Sequence, residues 1–111
     1  MTVMTKLSRL LIVFLVAFSL AACESSEERA EAYYQSALEL LEAGDTARAI
    51  VELRNVFQLN ESHRDARRLM ADIFLQQNNL PDAYGQYLRL VEQYPEEVEA
   101  LRRFVDDELE P

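Results

Sequence analysis

The chain has 111 residues, half of them apolar, with one Cys, one His, two Gly and 11 basic against 20 acidic side chains, a net charge of −9. That length holds one small domain, and one Cys with one His rules out both a disulfide framework and a zinc site of three or four protein ligands. The acidic balance argues against binding a phosphate backbone, which takes an excess of Lys and Arg on one face, so nucleic acid is not the expected partner; no cofactor is expected either.

The first predicted element is an uncharged run of thirteen residues, Leu10 to Ala22, preceded by Lys6 and Arg9 and followed by Cys23-Glu24-Ser25-Ser26-Glu27-Glu28. A basic start, a short apolar centre and small residues at its end are the outline of a cleaved secretion signal. A membrane-spanning helix needs about 20 apolar residues, more than this run supplies. Its last residues, Leu20-Ala21-Ala22-Cys23, resemble the lipobox of bacterial lipoproteins at all four positions. The resemblance implies cleavage before Cys23 and a lipid anchor, a diacylglyceryl group, on its thiol. Residues 1–22 are then the signal peptide and 23–31 the lipidated tether and start of the first helix. Two or more acyl chains hold a protein stably, at about 0.8 kcal/mol per buried methylene. Glu24 rather than Asp follows Cys23, which by the enteric sorting rule favours the outer membrane, facing the periplasm. Without residues 1–22 the chain keeps nine Arg, no Lys and all twenty acids, a side-chain balance of −11. Such a surface gains nothing from anionic head groups.

From Glu27 onward apolar residues keep a helical period, as in Ala37, Leu38, Leu41 and then Ala49, Ile50, Leu53, Val56, Phe57. Gly44-Asp45 and Asn78-Asn79 break the pattern, Ser62 with Asp65 reads as a capping box, and Pro81 suits a first helical turn. Helices are predicted at 26–43, 46–59, 63–77, 81–93 and 96–109. Links of a few residues make neighbours antiparallel.

A shift of 34 residues superposes Ala32 on Ala66 and Ala100, Ala37 on Ala71, Leu41 on Leu75, Gly44-Asp45 on Asn78-Asn79, and Ala49 on Ala83. With that period the chain resembles the tetratricopeptide repeat (TPR) family. The family's aromatic, small and closing positions fall on Tyr33, Ala37, Leu40, Ala49, Leu53 and Val56, then on Ala71, Phe74, Ala83, Tyr87, Leu90 and Pro95. Arg67 in place of an aromatic, Ser36 in place of Leu and Glu61 in place of Pro depart from the pattern. The implied fold is all-α, a short TPR alpha-solenoid: one repeat at 32–65, a second at 66–99, and at 100–111 a partial third repeat or capping helix. Leu101, Phe104 and Val105 would lie open there, inviting self-association through the terminal helix or marking a shortened longer array. Asp106, Asp107, Glu108 and Glu110 oppose the helix dipole and predict a frayed end.

Candidate chemistry is sparse. Glu27-Glu28, Glu96-Glu97 and Asp106-Asp107 sit at helix ends, where solvation accounts for them better than catalysis does. His63 reads as an exposed turn residue. No nucleophile, metal cluster or phosphate loop is visible, so no enzyme is expected. Arg64, Arg67, Arg68, Arg102 and Arg103 form the one positive concentration. Pairing of Arg68 with Asp72 and of Arg102 with Asp106 at four-residue spacing is one account of it. The family supplies another, because its first helices line a concave groove. That would place Tyr34, Leu38, Leu41, Glu42, Arg68, Asp72, Leu75, Gln76, Arg102 and Asp106 along a peptide, with Arg forks on its carboxylates. Leu38 and Asp72 stand where the chaperone-binding members carry Asn, and the mature chain has no Lys, so that specificity is not implied. The expected function is a non-enzymatic protein-interaction scaffold at the bacterial cell envelope, or else a structural spacer.

Overall fold

The structure, a computed structural model, describes residues 2–21 and 24–110. Six α-helices follow one another: α1 (Thr2–Ala21), α2 (Ser26–Glu42), α3 (Thr46–Leu59), α4 (Arg64–Gln76), α5 (Leu80–Gln93) and α6 (Val98–Phe104). A 3-10 turn, Pro95–Glu97, precedes α6, and a π-helical turn, Val105–Leu109, continues it. No strand occurs among the described residues. The side chains of α1 from Val3 to Leu15 are solvent-exposed. No described helix is long and apolar enough to cross a membrane. Cys23, the expected lipidation site, lies outside the described residues.

Residues α2 to α6 form two helical hairpins and a further helix, with the densest packing inside the pairs α2–α3 and α4–α5. Both hairpins turn the same way, for the same local reason. Gly44 (φ 79°) and Asn78 (φ 57°) take the left-handed conformation that only Gly and, less readily, Asn adopt at little cost. Gly44 N–H donates to Leu41 O and Asp45 N–H to Leu40 O; Asn78 and Asn79 repeat this with Leu75 O and Phe74 O. These pairs satisfy the orphan carbonyls of a helix end. Asp45 and Asn79 then cap the next helix by accepting from Arg48 N and Asp82 N. One pair of residues thus ends one helix and starts the next.

Ala37, Ala49, Ala71 and Ala83 are fully buried, which lets the paired backbones approach, while Leu53, Val56, Ile73, Phe74, Tyr87 and Leu90 fill the space between. The expected helices at 26–43, 46–59, 63–77 and 81–93 stand within a residue of those found.

Three local expectations are corrected. The cap of α4 is His63, whose Nδ1 accepts from Ala66 N–H at 3.1 Å, and not Ser62. Asn60 Oδ1 takes the Ser62 N–H at 3.1 Å and spends that residue in an Asx turn. The end of the chain does not fray at Asp106: the π-helical turn closes with Glu110 N–H donating to Val105 O at 3.1 Å. Phe104 is not open. It is buried against Tyr87, ring centroids 5.3 Å apart, and Leu101 and Val105 pack partly against the same core. The apolar side chains left exposed near it are Tyr84, Leu88 and Leu109.

Candidate functional site

Two successive first helices meet at each repeat junction, and the two junctions are built differently. A cleft between them needs opposite flanks of equivalent helices: the flank of the earlier helix that looks forward and the flank of the later one that looks back. At the α2/α4 junction the forward flank carries Tyr34, Leu38 and Leu41. The returning flank carries Leu69, Ile73 and Phe74, and this side is closed by apolar packing: Ile73 and Phe74 are buried in the core that Tyr34, Leu41 and Leu69 also join. One period later the returning residues are Arg103, Asp107 and Glu108. Charged side chains do not close a core, and a cleft of about 270 Å³ remains between α4, α5, α6 and the π-helical turn.

Of the residues expected in a groove, Arg68, Asp72 and Leu75 line this cleft. Gln76 is exposed beside it and Glu42 is exposed on α2, while Tyr34, Leu38 and Leu41 are half-buried at the first junction. Arg102 and Asp106 are exposed and do not line the cleft; Arg103 and Asp107 do. The reason is the period itself. A shift of 34 residues returns the same flank, so Arg102 and Asp106, the equivalents of Arg68 and Asp72, look forward and away. Arg102 instead pairs with Glu99 at 3.7 Å.

The electrostatics also differ from expectation. Arg68 does not pair with Asp72; its guanidinium meets Glu97 at 3.0 Å. Arg64 joins the same carboxylate through Nε at 2.7 Å, with a second contact from its terminal nitrogen, and reaches Glu96 at 3.1 Å. Hydrogen bonding to Glu97 raises the Arg64 pKa above its ordinary value. Arg64 also lies over the Tyr94 ring, 5.2 Å from its centroid, and Tyr94 donates its hydroxyl to Ser62 O. Glu97 is buried, not a solvated helix end. Asp72 accepts from Tyr87 Oη at 2.6 Å. Burial first, and that bond second, push the Tyr87 phenol well above its ordinary range. Arg68 pairs with Glu97 and Arg103 with Glu99 at 3.8 Å, which leaves the charges of Asp72, Asp107 and Glu108 and makes the lining acidic.

His63 is also corrected. Its side chain is 10 % exposed, packed against Tyr34 with ring centroids 4.9 Å apart and planes tilted by 44°, and bonded through Nε2 to Glu31 at 2.8 Å. Nδ1 accepts from the backbone, so Nε2 carries the proton and donates. Hydrogen bonds from Gln35 and then His63 hold the Glu31 carboxyl below its ordinary value. His63 stands one period before Glu97, and each reaches back to the preceding first helix. The shift of 34 aligns His63 with Glu97, but two unlike residues gave no hint of this shared junction role.

Comparison with curated proteins and with solved structures found no match to the chain. A family model for the tetratricopeptide repeat matches residues 40–104, which span α3, α4, α5 and α6 and the cleft between them. The paired helices, buried alanines and glycine-type turns thus have a common explanation: the chain belongs to the tetratricopeptide repeat family.

Proposed function

We propose that this chain is a non-enzymatic docking module, held at the bacterial cell envelope by acyl chains on Cys23, that receives a protein segment in the acidic cleft. The family serves protein–protein interaction, and the observation that carries the reading is the cleft of about 270 Å³ left where Arg103, Asp107 and Glu108 replace core residues. Its charge selects a basic or polar side chain rather than the carboxylate that free Arg forks would have favoured. Leu75 and Phe104 supply apolar wall beside Asp72, Asp107 and Glu108. Anchoring follows from Leu20-Ala21-Ala22-Cys23; outer-membrane residence facing the periplasm is part of the same proposal.

The test is capture from detergent-solubilised membranes with the full chain as bait. A stoichiometric heterologous partner lost on Asp107→Lys with Glu108→Lys supports the reading. Capture that survives both charge reversals overturns the cleft. Recovery of self-copies alone would favour the spacer reading, for which exposed Tyr84, Leu88 and Leu109 offer a surface. For the anchor, mass spectrometry should find acyl mass on a peptide beginning at Cys23, and Cys23→Ser should accumulate precursor; an unmodified chain still carrying residues 1–22 overturns it.

A further inference from the structure

Three arginines share a second groove, and none of them meets a carboxylate there. Arg54 on α3, Arg67 on α4 and Arg89 on α5 line a cleft of about 330 Å³ that has no residue in common with the acidic one. Arg54 and Arg89 are exposed and make no hydrogen bond or ion pair among the described residues. In a chain with nearly two acids per base, unpaired arginines on neighbouring helices are a local inversion of charge.

Arg67 makes the groove more than a surface patch. It is 2 % exposed, and its terminal nitrogens donate to Gln86 Oε1 at 2.8 Å and to Glu61 O at 3.1 Å, both neutral acceptors. Its Nε has no partner. The guanidinium lies 3.8 Å from the Phe57 ring centroid. Burial, and then the charge of Arg89, lower its pKa, while Glu61 opposes them. Glu61 is the one acid lining the groove and forms no ion pair with any of the three. A buried cation held by neutral groups retains an unmet electrostatic demand, which an incoming anion satisfies.

We propose that this groove binds an acidic peptide segment, with an Asp or Glu carboxylate held between Arg54 and Arg89 over the buried charge of Arg67. Guanidinium forks match a carboxylate bidentately, and the Gln86 amide nitrogen adds a donor. The donors come from three helices at an open groove, which suits a side chain carried on an extended segment. Repulsion from the net charge of −9 does not prevent this, because at physiological salt charges beyond about 8 Å are screened and the local arginines dominate. The site is independent of the acidic cleft and takes a partner of opposite sign.

The test titrates the ¹⁵N-labelled full chain, in a non-ionic detergent, with the blocked peptide Ac-Glu-Glu-Glu-NH₂, and in parallel with Ac-Lys-Lys-Lys-NH₂ and with inorganic phosphate. The expected result is a saturable shift of the Arg67 Nε–Hε resonance with the glutamate peptide alone. Affinity should fall about tenfold or more in Arg54→Gln with Arg89→Gln, two exposed positions whose change leaves the circular dichroism spectrum unaltered. No saturable shift at millimolar peptide overturns the proposal, as does unchanged affinity in the double variant. Equal affinity for phosphate would assign the groove to small anions and overturn the peptide.

Discussion

Arg67 occupies the position where the preceding repeat has Tyr33, and the structure explains how a cation substitutes for a ring. Its guanidinium lies over the Phe57 ring, 3.8 Å from the centroid, and takes a ring's place as packing surface, while its nitrogens tie Glu61 O to Gln86. Arg67→Ala should therefore cost about 2–4 kcal/mol in urea unfolding, through lost stacking and a cavity. Arg67→Met keeps volume and removes a buried charge, and should stay within about 1 kcal/mol of the parent; equal losses in both variants would show that charge, not packing, is what matters. Tyr87 offers a pH test. Its folded pKa is raised by burial and by the Asp72 bond, so its stabilisation is present below the unfolded value near 10 and is lost as pH rises above it. Tyr87→Phe should cost about 1 kcal/mol at neutral pH and lose less stability than the parent between about pH 9 and 11. Urea midpoints across that range check both. At this scale the sequence was least legible. Arg67 was visible as a departure, but its partners Gln86 and Glu61 and its ring Phe57 come from other helices. The pairing of Arg68 with Glu97 across 29 residues was hidden behind a nearer Asp72.

Helices and turns were legible to within a residue or two because their signals are local. Left-handed turn residues at Gly44 and Asn78, followed at once by Asp45 and Asn79 as caps, encode both hairpins in four residues. Gly44→Ala should cost about 1–2 kcal/mol, entirely through the backbone, since a methyl group there meets nothing within 4 Å. Asn78→Gly should be neutral or mildly stabilising by the same reasoning. The alanine crossings give a steric counterpart. Ala49 is fully buried, and Ala49→Phe should lower stability by about 1–3 kcal/mol, whereas Glu52→Gln should scarcely change it. Thermal melts of the four variants separate backbone from packing effects. Errors at this scale came where a side chain competed for a local role, as when Asn60 took the Ser62 amide and moved the α4 cap to His63.

For the whole molecule, periodicity recovered the fold and misplaced the groove. A repeat shift identifies equivalent residues, yet a cleft joins residues that are not equivalent, and the flank opposite Arg68 and Asp72 belongs to Arg103 and Asp107. The same reasoning applies to the far side of α5 and α6. Phe104 closes against Tyr87, so the expected opening at Leu101, Phe104 and Val105 is largely filled. Apolar exposure remains at Tyr84 (40 %), Leu88 (36 %) and Leu109 (47 %), and at Val98 at the start of α6; the first three offer a face on which a further second helix would pack. Solenoids gain stability mainly from such interfaces. A polar-faced helix fused after Glu110 should therefore raise the unfolding midpoint, since fully covering a leucine contributes about 1.5–3 kcal/mol. Leu88→Gln with Leu109→Gln should erase most of that gain while leaving the unfused chain nearly unchanged. If the fused helix gives no gain, or a gain that survives both substitutions, the exposed side chains do not form a stacking face, and self-association through this end loses its basis.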